Sequence, residues 1–383
     1  MIEAAVVVVV VVLRACLIGL ALIVEQRRLG PLPARGPACS IVIPLYGWDE
    51  RFLELLAALK RGGTKLEACE IIVVVDEDHP RRADIEAAGV TALHPELPLE
   101  PGDVDKVRRL RCGVRAARHP LVMLFDSDVV IDDDDGWLLR RVAVHVQDPA
   151  LRLSFALPAY HRARAAGDAV LGSFTLHANL SMYFLGWWLT RRATSIAASQ
   201  VLRNDDGVLP AFFDELRCSH ADDHALGVLV GRRGERVRAV PMTVGVHASD
   251  PSMTATTAQL VRWLTAAKTI GPLMHPLSVL WMAVHSLISG AGVLCLVAAV
   301  VSWSWPWLAA GIACFVVDAA SLVLLEALLL ETWAGRRRGR LHHLWSLPLS
   351  VLLQPYWLLR ALPKRVIVWR GRTNDLRARP AKN

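Results

Sequence analysis

The seven cysteines of this 383-residue chain stand singly, and no two share a Cys-x-x-Cys spacing. That pattern excludes a disulfide framework and a cysteine zinc site, and it fits a reduced compartment. Histidine offers no replacement. His220 and His224 lie four apart, but no third ligand or Glu base accompanies them as in His-Glu-x-x-His. Internal repeats are also lacking, which argues against a transporter built from paired halves. No Ala-x-Ala-like site follows the first apolar stretch, where Glu25-Gln-Arg-Arg-Leu-Gly-Pro stands instead. An uncleaved anchor is therefore expected rather than a signal peptide. Finally, Leu277 to Ser302 contains no Asp, Glu, Lys or Arg.

What is present is apolar. Hydrophobic residues make up 54% of the chain and its mean hydropathy is +0.36, too high for an ordinary soluble protein. Ala4 to Val24 is broken only by Arg14, and Trp305 to Leu330 only by Asp318 and Glu326. With Leu277 to Ser302 these make three stretches long enough to cross a hydrocarbon core of about 30 Å as helices. A charge at mid-bilayer costs about 2.5–3.5 kcal/mol on insertion scales, so Arg14 is expected to face another helix. Arg27 and Arg28 follow the first stretch, and Arg336, Arg337, Arg338 and Arg340 follow the third. Between the second and third lies the uncharged Trp303-Ser-Trp-Pro-Trp307. The positive-inside rule then places the large central region and the tail in the cytosol, in the inner membrane of a bacterial cell. Leu341 to Leu362 holds Pro348, Gln354 and Pro355, and a crossing there would put Lys364, Arg365, Arg370 and Arg372 outside. An interfacial or re-entrant helix is expected instead. The net charge of +7 gathers at membrane edges and near the C-terminus, so anionic head groups are the simpler partner and no nucleic acid is expected.

The central residues read as one α/β domain. Ser40-Ile-Val-Ile-Pro-Leu45, Glu70-Ile-Ile-Val-Val-Val75 and Leu121-Val-Met-Leu-Phe125 are short buried strands, separated by helical patterns at Arg51 to Lys60 and Val104 to Ala117. Apolar strands alternating with helices indicate a mostly parallel sheet covered on both faces. Ligands of such sheets bind beyond the carboxyl ends of the strands, where Asp76 and Asp126 stand. The expected divisions are an anchor at 1–26, a catalytic domain at 36–250, an acceptor-side segment at 251–275, a membrane hairpin at 277–333, and an interfacial helix with a basic tail at 336–383.

Asp126-Ser-Asp128 sets two carboxylates at a strand-to-loop transition, hard oxygen ligands suited to Mg²⁺ or Mn²⁺ and through it to a diphosphate. Asp-rich loops after strands are common, and Asp132 to Asp135 close by reads as a solvated turn and helix cap before Gly136-Trp137. Asp222-Asp223-His224 opens an apolar helical run, so either carboxylate serves as a cap or, functionally, Asp223 serves as a general base. Lys106 and Arg109 are candidate cations on a helix, with a solvated helix face as the plainer reading. Gln259-Leu-Val-Arg262-Trp263 taken alone is an interfacial Arg-Trp pair beside a membrane helix.

Taken in order, these pieces resemble the membrane-bound glycosyltransferases of the ceramide glucosyltransferase type, within the GT-A family two superfamily. Pro44-Leu-Tyr-Gly47-Trp-Asp49 resembles that subgroup's Pro-Leu-x-Gly-x-Asp start. Asp76 with Pro80 is similar to its Val-x-Asp-x-x-x-Pro, and Asp126-Ser127 to its second Asp with the Ser that follows. Ala221-Asp-Asp223-His is similar to its Ala-Glu-Asp-Tyr. Gln259, Arg262 and Trp263 fall on Gln-x-x-Arg-Trp, and Trp369-Arg-Gly-Arg372 resembles a tail motif of bacterial members. The resemblance implies a GT-A (Rossmann-like) domain flanked by membrane helices. It also implies Pro44, Asp76, Lys106 and Asp126 around the nucleotide sugar, Asp126 and Asp128 at the metal, Asp223 as base, and Gln259, Arg262 and Trp263 near the acceptor and diphosphate. The activity it implies is inverting transfer from a UDP-sugar to a membrane lipid hydroxyl on ceramide, diacylglycerol or a hopanoid. The alternatives are a processive polysaccharide synthase and a catalytically inactive scaffold of the same fold. The chain departs from the family at Ser195-Ile-Ala-Ala-Ser199, where a glycine-containing strand is usual, and at an insertion around Asn204 to Asp214.

Overall fold

The computed structural model describes residues 1–49, 51–100, 102–131, 136–160, 165–191, 195, 196, 198–204, 206–247, 250, 252–269, 274–330, 340–369 and 372–375. The aspartates at 132–135 and the arginines at 336–338 and 370 therefore lie outside the described residues.

The chain enters through helix α1 (Ile2–Arg28) and reaches strand β1 (Cys39–Pro44). From there β2 (Cys69–Val74), β3 (Thr91–Leu93), β4 (Leu121–Phe125) and β5 (Val129–Val130) alternate with α2 (Arg51–Gly63), α3 (Arg82–Ala87) and α4 (Asp105–Ala116). After α5 (Trp137–Gln147) come β6 (Leu151–Tyr160), α6 (Ala166–Ala178), a π-helical turn over Asn179–Leu185 and α7 (Gly186–Thr190). They are followed by β7 (Ser199–Arg203), α8 (Leu209–Glu215), α9 (Asp222–Arg232) and β8 (Arg236–Val246). The last part comprises α10 (Met253–Ala267), α11 (Pro276–Ser289), α12 (Ala291–Ser302), α13 (Trp305–Leu330), α14 (His343–Ala361) and the hairpin β9 (Val366–Trp369)–β10 (Arg372–Asp375).

One eight-stranded sheet runs in the order β3-β2-β1-β4-β7-β6-β8-β5. The pairs β2–β3, β1–β2, β1–β4 and β6–β8 are parallel, whereas β7 runs antiparallel to both β4 and β6, and β5 to β8. Every residue of β1 is buried, because alternate side chains serve two cores. Ile41 and Ile43 pack with Leu55, Leu59 and Trp137 on the face covered by α2 and α5. Val42 packs with Val107, Leu110, Phe212 and Leu226 on the face covered by α4, α8 and α9. Helix α4 lies close on the sheet because Gly113 leaves room. A Cβ there would stand 2.3 Å from a Val42 methyl, so any larger residue would push the helix, with Lys106 and Arg109, off its seat. Within the insertion around Asn204 to Asp214, the residues from Leu209 onward form α8, and Leu209, Phe212 and Phe213 complete this second core.

The other half of the sheet carries the apolar helices. Ile18 and Leu22 of α1, Leu322, Leu325 and Leu329 of α13, and Leu347 of α14 pack against Phe155, Leu157 and Ala239 of β6 and β8. Glu25, buried at the end of α1, accepts a 2.9 Å bond from Arg238 on β8 and fastens the anchor to the domain. Helices α1 and α13 are each long and apolar enough to cross a membrane. The uncharged stretch expected as one straight span is instead the pair α11 and α12, bent by 48° at Gly290. Arg14 faces inward as expected. Its guanidinium is ion-paired with Asp318 of α13 and donates to Ser289 Oγ of α11 at 3.0 Å, so Arg14 and Asp318 neutralise each other. Helix α14 keeps Pro348 and Pro355 inside it and lies across α6, α10 and α13.

Candidate active site

Three elements deliver charge to one place at the carboxyl edge of the sheet. Asp126 follows the last residue of β4, Lys106 lies in the first turn of α4, and Asp222 and Asp223 open α9. The Lys106 Nζ stands 2.9 Å from Asp126 Oδ1 and 3.3 Å from Asp222 Oδ2. Burial works against a charged lysine, but Asp126, Asp222 and Asp223 outweigh it and hold its pKa well above the ordinary value. Burial raises the Asp222 carboxyl to about 6, with Asp223 and Asp126 pushing the same way against Lys106.

Asp223 is held by its own backbone. Its carbonyl accepts from Ser195 Oγ and, at 3.4 Å, from Gln200 Nε2, which also donates to Ser195 Oγ at 2.9 Å. The start of α9 is thereby fixed to β7, and the helix dipole favours the two carboxylates at its positive end. Asp223 Oδ2 lies 3.9 Å from His224 Nε2, which in turn meets the Tyr183 hydroxyl at 3.3 Å. Burial and the Asp223 charge push the Tyr183 phenol up, so it stays protonated. The family's missing glycine has a counterpart in the backbone. Ala198 takes a φ of +81°, in the left-handed region that glycine favours, and its carbonyl accepts from the Asp126 amide at 3.3 Å.

The remaining sequence candidates form a second and a third group. Asp76, beyond β2, accepts from Arg109 at 2.6 Å; Arg109 also donates to the Leu45 carbonyl at 3.1 Å, just past Pro44, and stacks on Tyr46 at 4.4 Å. This group closes the β1–β2 end of the cleft. Gln259 and Arg262 share a turn of α10 and are joined by a 2.8 Å bond. Trp263, half-buried, packs against the cluster of Val170, Leu171, Leu260 and Trp357. The residue that joins the groups is Tyr160, at the end of β6, which sequence reading left unremarked. It packs against the cluster that holds Trp263, and its phenol is pushed up by burial and by Asp128, against the pull of Arg262. Only its place at a strand end, like Asp76 and Asp126, hinted at this. Asp128 is fixed by its carbonyl, which accepts from the His247 amide at 2.9 Å.

Among the described residues no set of three or more His, Cys, Asp or Glu side chains is gathered as a ready-made metal cage. Asp126 and Asp128 are two carboxylates on one loop, the donor number with which Mg²⁺ is held when a substrate phosphate supplies further ligands. The donor set fits a metal that arrives with a diphosphate.

The profile of Glycosyl transferase family 21 matches residues 5–381. The chain belongs to glycosyltransferase family 21. This glycosyltransferase has a GT-A-type fold, with its mostly parallel sheet and the acidic residues at the carboxyl edge. No curated protein sequence matches it. Among solved structures it is similar to the mannosyltransferase PcManGT from Pyrobaculum calidifontis in complex with GDP-Man and Mn²⁺, at 14% identity over 92% of this chain and 99% of that one, with a TM-score of 0.45. It is also similar to glucosyl-3-phosphoglycerate synthase from Mycobacterium tuberculosis in complex with Mn²⁺, UDP and glucosyl-3-phosphoglycerate, at 12% identity over 60% and 80%, with a TM-score of 0.40.

Proposed function

We propose that this family 21 enzyme moves a hexose or N-acetylhexosamine from a UDP-sugar to a hydroxyl of a membrane lipid, with inversion, on the cytosolic side of the membrane. The observation that carries the reading is the junction of Lys106 with Asp126 and Asp222. It brings a strand-end carboxylate and the paired acids of α9 to one cleft, on a domain whose other half is packed against apolar helices.

Asp223 takes the proton from the acceptor hydroxyl as its oxygen attacks the anomeric carbon, and the bond from that carbon to the diphosphate oxygen breaks on the opposite face. Asp76 and Pro44 belong to the nucleoside end, with Arg109 orienting Asp76. Asp126 and Asp128 would hold Mg²⁺ or Mn²⁺, which when bound supplies positive charge to the departing diphosphate. Arg262, steadied by Gln259, adds a cation between diphosphate and acceptor, and Trp263 shapes the apolar side of that junction.

The helix directions support a shared side for domain and tail. Ala4 of α1 packs with Ala310 of α13 at one end, and Leu22 packs with Leu329 at the other, so the two helices are parallel. The chain must therefore return between them through α11 and α12, which makes this bent pair a broken crossing and leaves α14 beside the catalytic domain. Three crossings leave little protein to line a polymer pore.

The test uses the full chain in lipid bilayers with UDP-glucose, UDP-galactose or UDP-N-acetylglucosamine and Mn²⁺, followed by mass analysis of lipid and aqueous products. A lipid carrying one added sugar is expected. A long water-soluble glycan would instead establish a processive synthase, and no UDP released from any of these donors would leave the reading without support.

A further inference from the structure

Behind the carboxyl edge of the sheet, on the face covered by α2 and α5, one charge has no counterpart. Arg141 of α5 is fully buried. Its Nη2 donates to the Ser154 carbonyl at 3.3 Å and to the Ser199 carbonyl at 3.4 Å, and its Nη1 reaches Ser154 Oγ at 3.5 Å. The guanidinium stands 5.8 Å from the centre of the Trp137 ring. Its Nε finds no partner, and among the described residues no carboxylate pairs with the group.

The neighbours do not supply the missing negative charge. Burial pushes the Cys39 thiol far up, so it stays protonated. His145, one turn further along α5, meets Ser154 Oγ at 3.0 Å; burial, then Arg141 and Arg203, hold it down to about 3, so it is neutral. Burial lowers Arg141 itself to about 9, which leaves it charged at pH 7. A buried cation held only by neutral oxygens is unfavourable, and an apolar side chain of similar volume would escape that penalty. The position of the guanidinium gives the charge a use. Ser199 opens β7 and is paired with Phe125, the last residue of β4. The residue before it, Ala198, accepts from the Asp126 amide through its carbonyl. Arg141 thus grips the strand edge one residue from the contact that seats the Asp126 loop, on the order of 10 Å from the cleft. At that range, with an effective dielectric constant of about 20, a unit charge changes an affinity by on the order of tenfold.

Resting on the transferase reading above, we infer that Arg141 is a positioning residue for the departing diphosphate, a fixed cation behind the Asp126 loop that favours the state in which the anomeric bond has broken. It touches neither substrate nor metal. With a divalent cation beside it, the diphosphate of a UDP-sugar is close to neutral. When the bond from the anomeric carbon breaks, its electron pair stays on the diphosphate oxygen, and UDP leaves with one more negative charge than it had as UDP-sugar. A buried cation that needs no reorganisation distinguishes these two states. Arg141 therefore acts on the transition state and on UDP more than on the UDP-sugar.

The test compares the native full chain with Arg141→Met and Arg141→Gln in lipid bilayers with Mn²⁺. Met keeps the volume alone, whereas Gln keeps an amide that donates to the same carbonyls; both remove the charge. Affinities are measured for UDP and for the most active of the three UDP-sugars above, and transfer is followed in a single turnover so that UDP release does not enter the rate. Each variant should bind UDP about tenfold more weakly and transfer about tenfold more slowly, while its affinity for the UDP-sugar stays within about threefold of native. A side chain that merely held the strands together would not separate the two nucleotides. Equal losses for UDP and the UDP-sugar, no loss for either, or native behaviour in Arg141→Gln would overturn the inference while leaving the transferase intact. Failure of both variants to fold, read by thermal melting, would also overturn it by making the guanidinium structural. A native chain that binds neither UDP nor a UDP-sugar would overturn the transferase reading itself.

Discussion

At the scale of single residues, the cleft is an arrangement of like charges that one lysine makes tolerable. Three carboxylates, Asp126, Asp222 and Asp223, share the neighbourhood of Lys106, and the most burdened is Asp222, raised to about 6 by burial. A carboxyl raised in the folded chain from its ordinary value holds its proton there while the unfolded chain has lost it. The stability it lends is complete below about pH 4 and is lost as pH rises through about 6. Asp222→Asn removes this titration. The thermal midpoint of the native chain, measured against that of Asp222→Asn, should fall between about pH 4 and pH 6.5 and then level; two parallel curves would place the shifted group elsewhere. Ala198 gives a second residue-scale expectation. An L-residue at φ +81° is strained by about 1–2 kcal/mol, and glycine there returns up to about 1 kcal/mol less any entropy it adds to the unfolded chain. Ala198→Gly should leave the melting temperature equal or higher, whereas Ala198→Val should lower it and weaken the Asp126 loop.

At the scale of elements, what was legible depended on how local the signal was. β4 emerges at Leu121–Phe125 as read, and Asp76 and Asp126 stand beyond strands because an apolar run that ends on an acid marks the sheet edge. The pairing of Lys106 with Asp222 was not legible, because it depends on α9 being swung back over β4 by β7, a strand read only as a departure from a family pattern. Tyr160 was hidden for the same reason: nothing in a strand's own sequence tells which neighbours its last residue will meet. Arg14 looked like a flaw in the anchor, and Asp318 like a flaw in α13; together with Ser289 they are one contact. Removing one partner leaves an uncompensated buried charge, so Asp318→Leu should destabilise the protein by about 3–5 kcal/mol, and Arg14→Leu added to it should recover most of that. Unfolding of the two variants in the same detergent checks this; an equal loss in the double variant would show that the unpaired Arg14 charge is not its cause, and a single variant as stable as the native chain would show the pair to be dispensable.

At the scale of the whole molecule, the α/β domain and the apolar helices share one core instead of being joined by a linker. Phe155 and Leu157 of the sheet pack directly against α1, α13 and α14, and Glu25 locks the anchor to Arg238. In the reading proposed above, a transferase so built would work at a fixed height above the lipid, which suits an acceptor held in the bilayer. The overall plan, membrane helices at both ends of an acidic-edged α/β domain, could be read from composition and spacing.

The most direct measurement is sugar transfer by Asp223→Asn in native-like bilayers, set beside its binding of the UDP-sugar. The account predicts a loss of transfer of about a hundredfold or more with donor affinity nearly unchanged, since only the proton acceptor has gone. A variant that still transfers at the native rate, or one that loses donor binding in step with activity, would contradict it.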